Sequence, residues 1–171
     1  FGSGSFGFSV EDYETSAPGW YNESSVQTIL WDLYDGSPDD GDNVQLGFAP
    51  LYDVLTGPQR VTPAFTTIFS FTSALKAAGG NAAAIDALLA DESIDPIASG
   101  DIWGDGESGN NPGGVDLLPV HAEIAPGGGA VNVCVTDGFD PNADGNKLGI
   151  FRYLRFTVNA AGNYRISVTT T

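Results

Sequence analysis

Apolar positions follow a helical period through the first hundred residues and a two-residue period beyond them. The segment Gly19 to Gly36, GWYNESSVQTILWDLYDG, sets the first pattern. Val26, Ile29, Leu30, Leu33 and Tyr34 recur at i, i+3, i+4, i+7 and i+8, one apolar stripe of an amphipathic helix. Asn22 or Ser24 is placed to cap it, Glu23 suits the positive helix start, and Gly36 suits the end. FAPLYDVLTG predicts a short helix, with Pro50 in an early position and Gly57 at the stop. In TPAFTTIFSFTSALKAAGG, Thr62 reads as the cap and Pro63 as the first turn. Phe65, Ile68, Phe69 and Leu75 read as the buried side, and Gly79 and Gly80 as the terminator. A last helix is expected from Asn81 to about Asp91 through Ile85, Leu88 and Leu89. The aromatic residues Trp31, Phe65, Phe69 and Phe71 are all expected in the core.

Residues 99–114, SGDIWGDGESGNNPGG, have no period and read as a loop or linker. After them the chain alternates. Leu117–Ile124, Ala130–Thr136, Ile150–Val158 and Asn163–Thr169 read as strands. Leu154, Phe156 and Val158 would point inward, Tyr153, Arg155 and Thr157 outward, and Asn159–Gly162 would reverse the chain into a β-hairpin. The expectation is therefore an α+β chain. A four-helix all-α lobe (residues 1–98) and a linker (99–114) would precede a small antiparallel β-sandwich-like region (115–171).

Charge sharpens this division. Of the 22 acids, 17 lie at or before Glu107, against two bases, Arg60 and Lys76; the remaining five acids face four bases. A formal net charge of −16 opposes binding to nucleic acid or anionic lipid. No apolar run approaches the ~20 residues that cross a bilayer. Low lysine with many aspartates fits a secreted, extracellular or saline setting, with simple solubility as the alternative. The chain has no methionine, not even at position 1, and reads as a downstream portion of a larger secreted protein.

The Gly19–Gly36 segment resembles the helix that follows the metal site in secreted zinc metallopeptidases of the gluzincin type, in the thermolysin and fungalysin-like families. The likeness extends more loosely through GFAPLYDVLTG and the Phe-rich segment after it. It implies that Tyr21, at the helix entrance, stabilises the oxyanion of the scissile carbonyl, where those families mostly use His. Glu23 beside it is the one carboxylate singled out for acid–base work. LGIFRYLRFTVNAAGNYRISVT resembles the opening strands of the bacterial pre-peptidase C-terminal domain, a small β-sandwich carried by secreted peptidases. A zinc hydrolase needs two or three His or carboxylate ligands and an open position. This chain has one histidine, His121, and no HExxH sequence, so zinc would have to come from an upstream segment.

Two acidic loops are candidate calcium sites. In DPNADGNKLG, Asp140, Asn142 and Asp144 are spaced two apart before the turn at Gly145, and Asn146 can add a carbonyl. Phe151 stands at the twelfth position, where an EF-hand needs Glu, and a polar hairpin loop is the alternative. Asp39, Asp40 and Asp42 in SPDDGDN form the second cluster; a weaker third runs from Asp101 to Glu107. Cys134 is the only cysteine, so no internal disulfide forms. His121 reads as a structural or surface residue, and Asn22-Glu23-Ser24 matches a glycosylation sequon. Two functions follow as expectations. One is a lobe, inert alone, that lines the cleft of a secreted metallopeptidase and meets a protein or peptide substrate. The other is an extracellular, calcium-stabilised structural or binding module of a surface assembly.

Overall fold

The computed structural model describes residues 9–10, 17–36, 44–109, 118–133 and 152–170. Within them the chain is mixed α+β: α1 (Glu23–Tyr34), α2 (Phe48–Thr56), the single turn α3 (Pro58–Val61), α4 (Ile68–Ala77) and α5 (Ala82–Asp91) precede β1 (His121–Glu123) and β2 (Tyr153–Arg155). None of these helices is long and apolar enough to cross a membrane. Asp39, Asp40, Asp42, Cys134, Asp140, Asn142, Asp144 and Asn146 lie outside the described residues.

The helix starts are set by side-chain caps. Asn22 caps α1 by accepting from the Ser24 N–H at 2.8 Å, and its own amide donates to the Ala17 carbonyl at 3.0 Å. That side chain is buried, so the sequon at Asn22 is not open to a glycan in this fold. Asn81, expected as the first residue of the last helix, instead caps α5, its side chain accepting from the Ala84 N–H. The Phe-rich helix starts later than its sequence pattern suggests. Thr67 and Ser70 form a reciprocal capping box, which fixes the start at Ile68, while Thr62 closes α3 instead. Phe65 consequently lies in the connecting segment and is 55% exposed, not core. Trp31 and Tyr34 are also exposed, on the outer flank of α1.

Ile29 and Leu33 of α1 meet Val54, Phe69, Leu75, Ile85 and Leu89 in one core, all essentially sealed from solvent. Residues 99–109, the described part of the stretch expected as a linker, pack against this core. Ile94 and Ile97, just ahead of it, are buried in the cluster, and within it the Gly100 N–H donates to the Ser73 hydroxyl at 2.8 Å and the Gly109 carbonyl accepts from the Trp20 indole N–H at 3.1 Å. Lys76, sealed within the lobe, pairs with Asp86 and donates to the Ile97 carbonyl. That contact ties α4 and α5 to the segment that follows them.

The β region differs from the expected hairpin. β1 and β2 pair in parallel, with His121 opposite Tyr153, Ala122 opposite Leu154 and Glu123 opposite Arg155. Residues 156–170 form no strand, and no antiparallel sandwich is present among the described residues. The faces are inverted as well: Leu154, Phe156 and Val158 are exposed, while Tyr153 and Arg155 are half-buried against the helical lobe. The physical reason is that Tyr153 and Arg155 find aromatic and ionic partners there, which outweighs simple alternation.

Candidate functional site

Alternation along the two strands places His121, Glu123, Tyr153 and Arg155 on one face of the parallel pair. That face meets Phe65, from the segment before α4, and Trp103 and Asp105, from the loop after α5. Together they border a cleft of about 870 Å³. Four rings gather at its base. Phe65 stacks on His121 at 5.8 Å between centroids and 15° between planes, and lies 4.5 Å from Tyr153. Trp103 meets His121 edge to face at 4.9 Å. The Arg155 guanidinium lies 4.9 Å from the Trp103 ring centre and ion-pairs with Asp105 at 2.8 Å and Glu123 at 3.6 Å.

Asp101 holds the loop that delivers Trp103 and Asp105. Its Oδ1 accepts from the backbone N–H groups of Trp103, Gly104 and Asp105, and its Oδ2 from Gly106, all between 2.9 and 3.2 Å. Four donors on one carboxylate fold DIWGDG into a tight turn. Gly104 is required in that turn on two counts. Its φ is +72°, and an added Cβ would sit 2.6 Å from the Phe69 ring. The turn is thus seated on the most buried aromatic of the core. This acidic stretch, read above as a weak cation candidate, spends its carboxylates internally: Asp101 on amides, Asp105 on Arg155, and Glu107 on the N–H groups of Asp95 and Gly109. Among the described residues, no group of three or more His, Cys, Asp or Glu side chains is arranged to hold a metal ion.

Burial governs the titrating groups. The His121 pKa is pushed down, first by desolvation and then by the neighbouring Arg155 charge, against a smaller opposing pull from Asp105. His121 therefore favours its neutral form, suited to ring stacking. The Glu107 carboxyl is pushed up, chiefly by burial and also by Asp95, while its backbone donors pull it back.

Tyr21 and Glu23 stand elsewhere; neither borders the cleft. Tyr21 is half-buried, edge to face with Trp20 at 5.6 Å, and its hydroxyl donates to the Pro18 carbonyl at 3.3 Å. The ring leans over Gly19, where a Cβ would come within 2.7 Å of it. Desolvation and then the charge of Glu107 push the Tyr21 hydroxyl pKa up, so it stays a protonated donor. Glu23 is exposed on the first turn and accepts from Gln27 at 3.2 Å.

The sequence patterns did not single out the cleft residues. Phe65 shares an i, i+3, i+4 spacing with Ile68 and Phe69 and so looked like core, and Tyr153 and Arg155 occupied the polar side of an alternating strand. One available signal was the side chain that repeatedly breaks the apolar rule, an aromatic and an arginine two apart on a supposedly outward face. The architecture and the cleft define a mixed α+β chain with an aromatic, ion-paired site. No protein-family description, curated protein or solved structure matches this chain.

Proposed function

We propose that this chain is a non-catalytic extracellular binding module whose working surface is the cleft between the helical lobe and the parallel strand pair. The observation that carries this reading is the convergence of Phe65, Trp103, His121 and Tyr153 on one concavity bordered by the paired charges of Asp105, Glu123 and Arg155. Ligand sites combine apolar walls with a few fixed polar groups, and this concavity has both. Soaking a small-molecule fragment library into crystals of the chain tests it. Ligands gathered on Phe65 and Trp103 are expected; ligands gathered only at the Tyr21 entrance, with the cleft bare, overturn the assignment. Calcium enters this reading only through the spacing of Asp140, Asn142 and Asp144 and of Asp39, Asp40 and Asp42. A melting midpoint unmoved by calcium or chelator removes it.

A second reading, the cleft-lining lobe of a secreted gluzincin-type peptidase, draws support from α1, which forms with its expected cap and leaves Tyr21 half-exposed at its entrance. The commitment of the Tyr21 hydroxyl to Pro18 gives it less weight. Joined to the zinc-bearing upstream segment that reading requires, Tyr21→Phe should lower kcat by about 10²-fold with KM unchanged. An unchanged kcat rejects the oxyanion role. The antiparallel sandwich belongs with this reading. The exposed apolar residues Tyr164, Ile166 and Val168 supply the face that such a second layer would cover.

A further inference from the structure

The charges bordering the cleft narrow the chemistry of its occupant. The chain carries a net −16, yet this concavity sets Asp105 and Glu123 against Arg152 and Arg155, two acids against two bases. An anion would meet both carboxylates and the field of the whole chain. A cation would meet the Arg155 guanidinium, which already occupies a face of Trp103. A proline-rich peptide would fit the rings but has few donors to offer the bordering carboxylates. The remaining class is neutral, with one flat apolar face and many hydroxyls.

A pyranose ring has that character. Its axial C–H groups stack on an aromatic face, while its hydroxyls both donate and accept. Phe65 offers the platform, being 55% exposed while its neighbours His121 and Tyr153 hold it in place. Asp105 and Glu123 accept from hydroxyls, and Arg155 donates in the fixed fork of a guanidinium already oriented by its two carboxylate partners. We propose that the cleft binds a neutral glycan, one pyranose stacked on Phe65 and hydrogen-bonded by Asp105, Glu123 and Arg155. This rests on the reading of the cleft as a binding surface.

Calorimetric titration of the full chain with neutral hexasaccharides of glucose, mannose and N-acetylglucosamine tests it, with choline, decaproline and a hexauronate as rival probes. At least one neutral hexasaccharide should bind with a Kd below about 1 mM. Phe65→Ala should weaken it about tenfold, and Glu123→Gln, a conservative change at an exposed carboxylate, about threefold. Sugar binding unaffected by either variant overturns the site. Absence of binding by every neutral hexasaccharide overturns the glycan class. If choline, decaproline or the hexauronate binds instead and Phe65→Ala abolishes that binding, the module reading stands and the glycan fails. If no probe binds and fragments also leave the cleft empty, both fall.

Discussion

Helix α4 and the stretch from residue 156 to residue 170 are both rich in apolar side chains, yet they meet opposite fates. In α4, eight of ten residues are buried, including Phe69 and Leu75, which are nearly inaccessible. In the later stretch Phe156, Val158, Tyr164, Ile166 and Val168 all remain exposed. A helix satisfies its own backbone and needs only a neighbouring stripe, whereas an alternating strand needs a partner for its hydrogen bonds and a second layer for its apolar face. Residues 156–170 have no strand partner among the described residues, and in the paired strand β2 just before them the polar side makes the contacts with the helical lobe. Arg155 and Tyr153 pack inward while Leu154 turns out.

The sharpest way to break this contrast is to attack the buried side of it. Phe69→Ala removes a fully buried ring that touches Trp20 at 5.5 Å and lies beneath Gly104. It should cost about 3–5 kcal/mol in denaturant unfolding. Gly104→Ala pushes a methyl into the same ring from a left-handed backbone position and should cost about 3 kcal/mol. A neutral Gly104→Ala would mean that the loop is not seated on the core.

Asp101→Ala strips four amides of their acceptor and should cost about 2 kcal/mol, releasing Trp103 and Asp105 from the cleft. Asp101→Asn, which keeps one acceptor oxygen, should lose less. Chemical denaturation combined with Trp103 fluorescence separates the two effects.

A smaller effect comes from pH. Burial holds the folded His121 pKa below the ordinary histidine value of about 6.5, so the unfolded chain takes up the proton first as pH falls. The stability tied to neutral His121 is therefore complete above about pH 6.5 and is lost as pH drops from there toward the folded value. His121→Phe should remove this component of the pH profile; an identical slope in the variant contradicts it. Smallest of all, Ile166→Thr and Val168→Thr should change stability by no more than about 0.5 kcal/mol, because both side chains face solvent. A loss of about 2 kcal/mol or more would instead mean that these residues are covered, as a completed sandwich requires.

The same contrast explains what could be read from sequence. Caps and periods are local, so α1, α2 and α5 match their expected bounds within a residue or two, and Gly57 stops α2 as its position suggested. Two threonines competed for the Phe-rich helix. Thr67 won because Ser70 could complete the box, and Phe65 was thereby moved from core to cleft. Strand partner, strand direction and the face that packs depend on residues far apart in sequence. Alternation in YLRFTV identifies two faces without saying which is buried. The candidate site inherits that blindness, since its side chains come from four segments far apart in sequence: Phe65 before α4, the turn carrying Trp103 and Asp105, β1 and β2. The mixed α+β class was legible, but the parallel pairing and the cleft were not.

The chain has three tryptophans, and their indole N–H signals make a direct test of the cleft. Trp103 borders the site, Trp20 donates its indole to Gly109 inside the lobe, and Trp31 lies on the outer flank of α1. In a nitrogen–proton NMR titration with the neutral hexasaccharide that binds best, the Trp103 indole signal should move while those of Trp20 and Trp31 hold still. Movement of Trp20 or Trp31 with Trp103 unchanged would contradict the cleft as the glycan site.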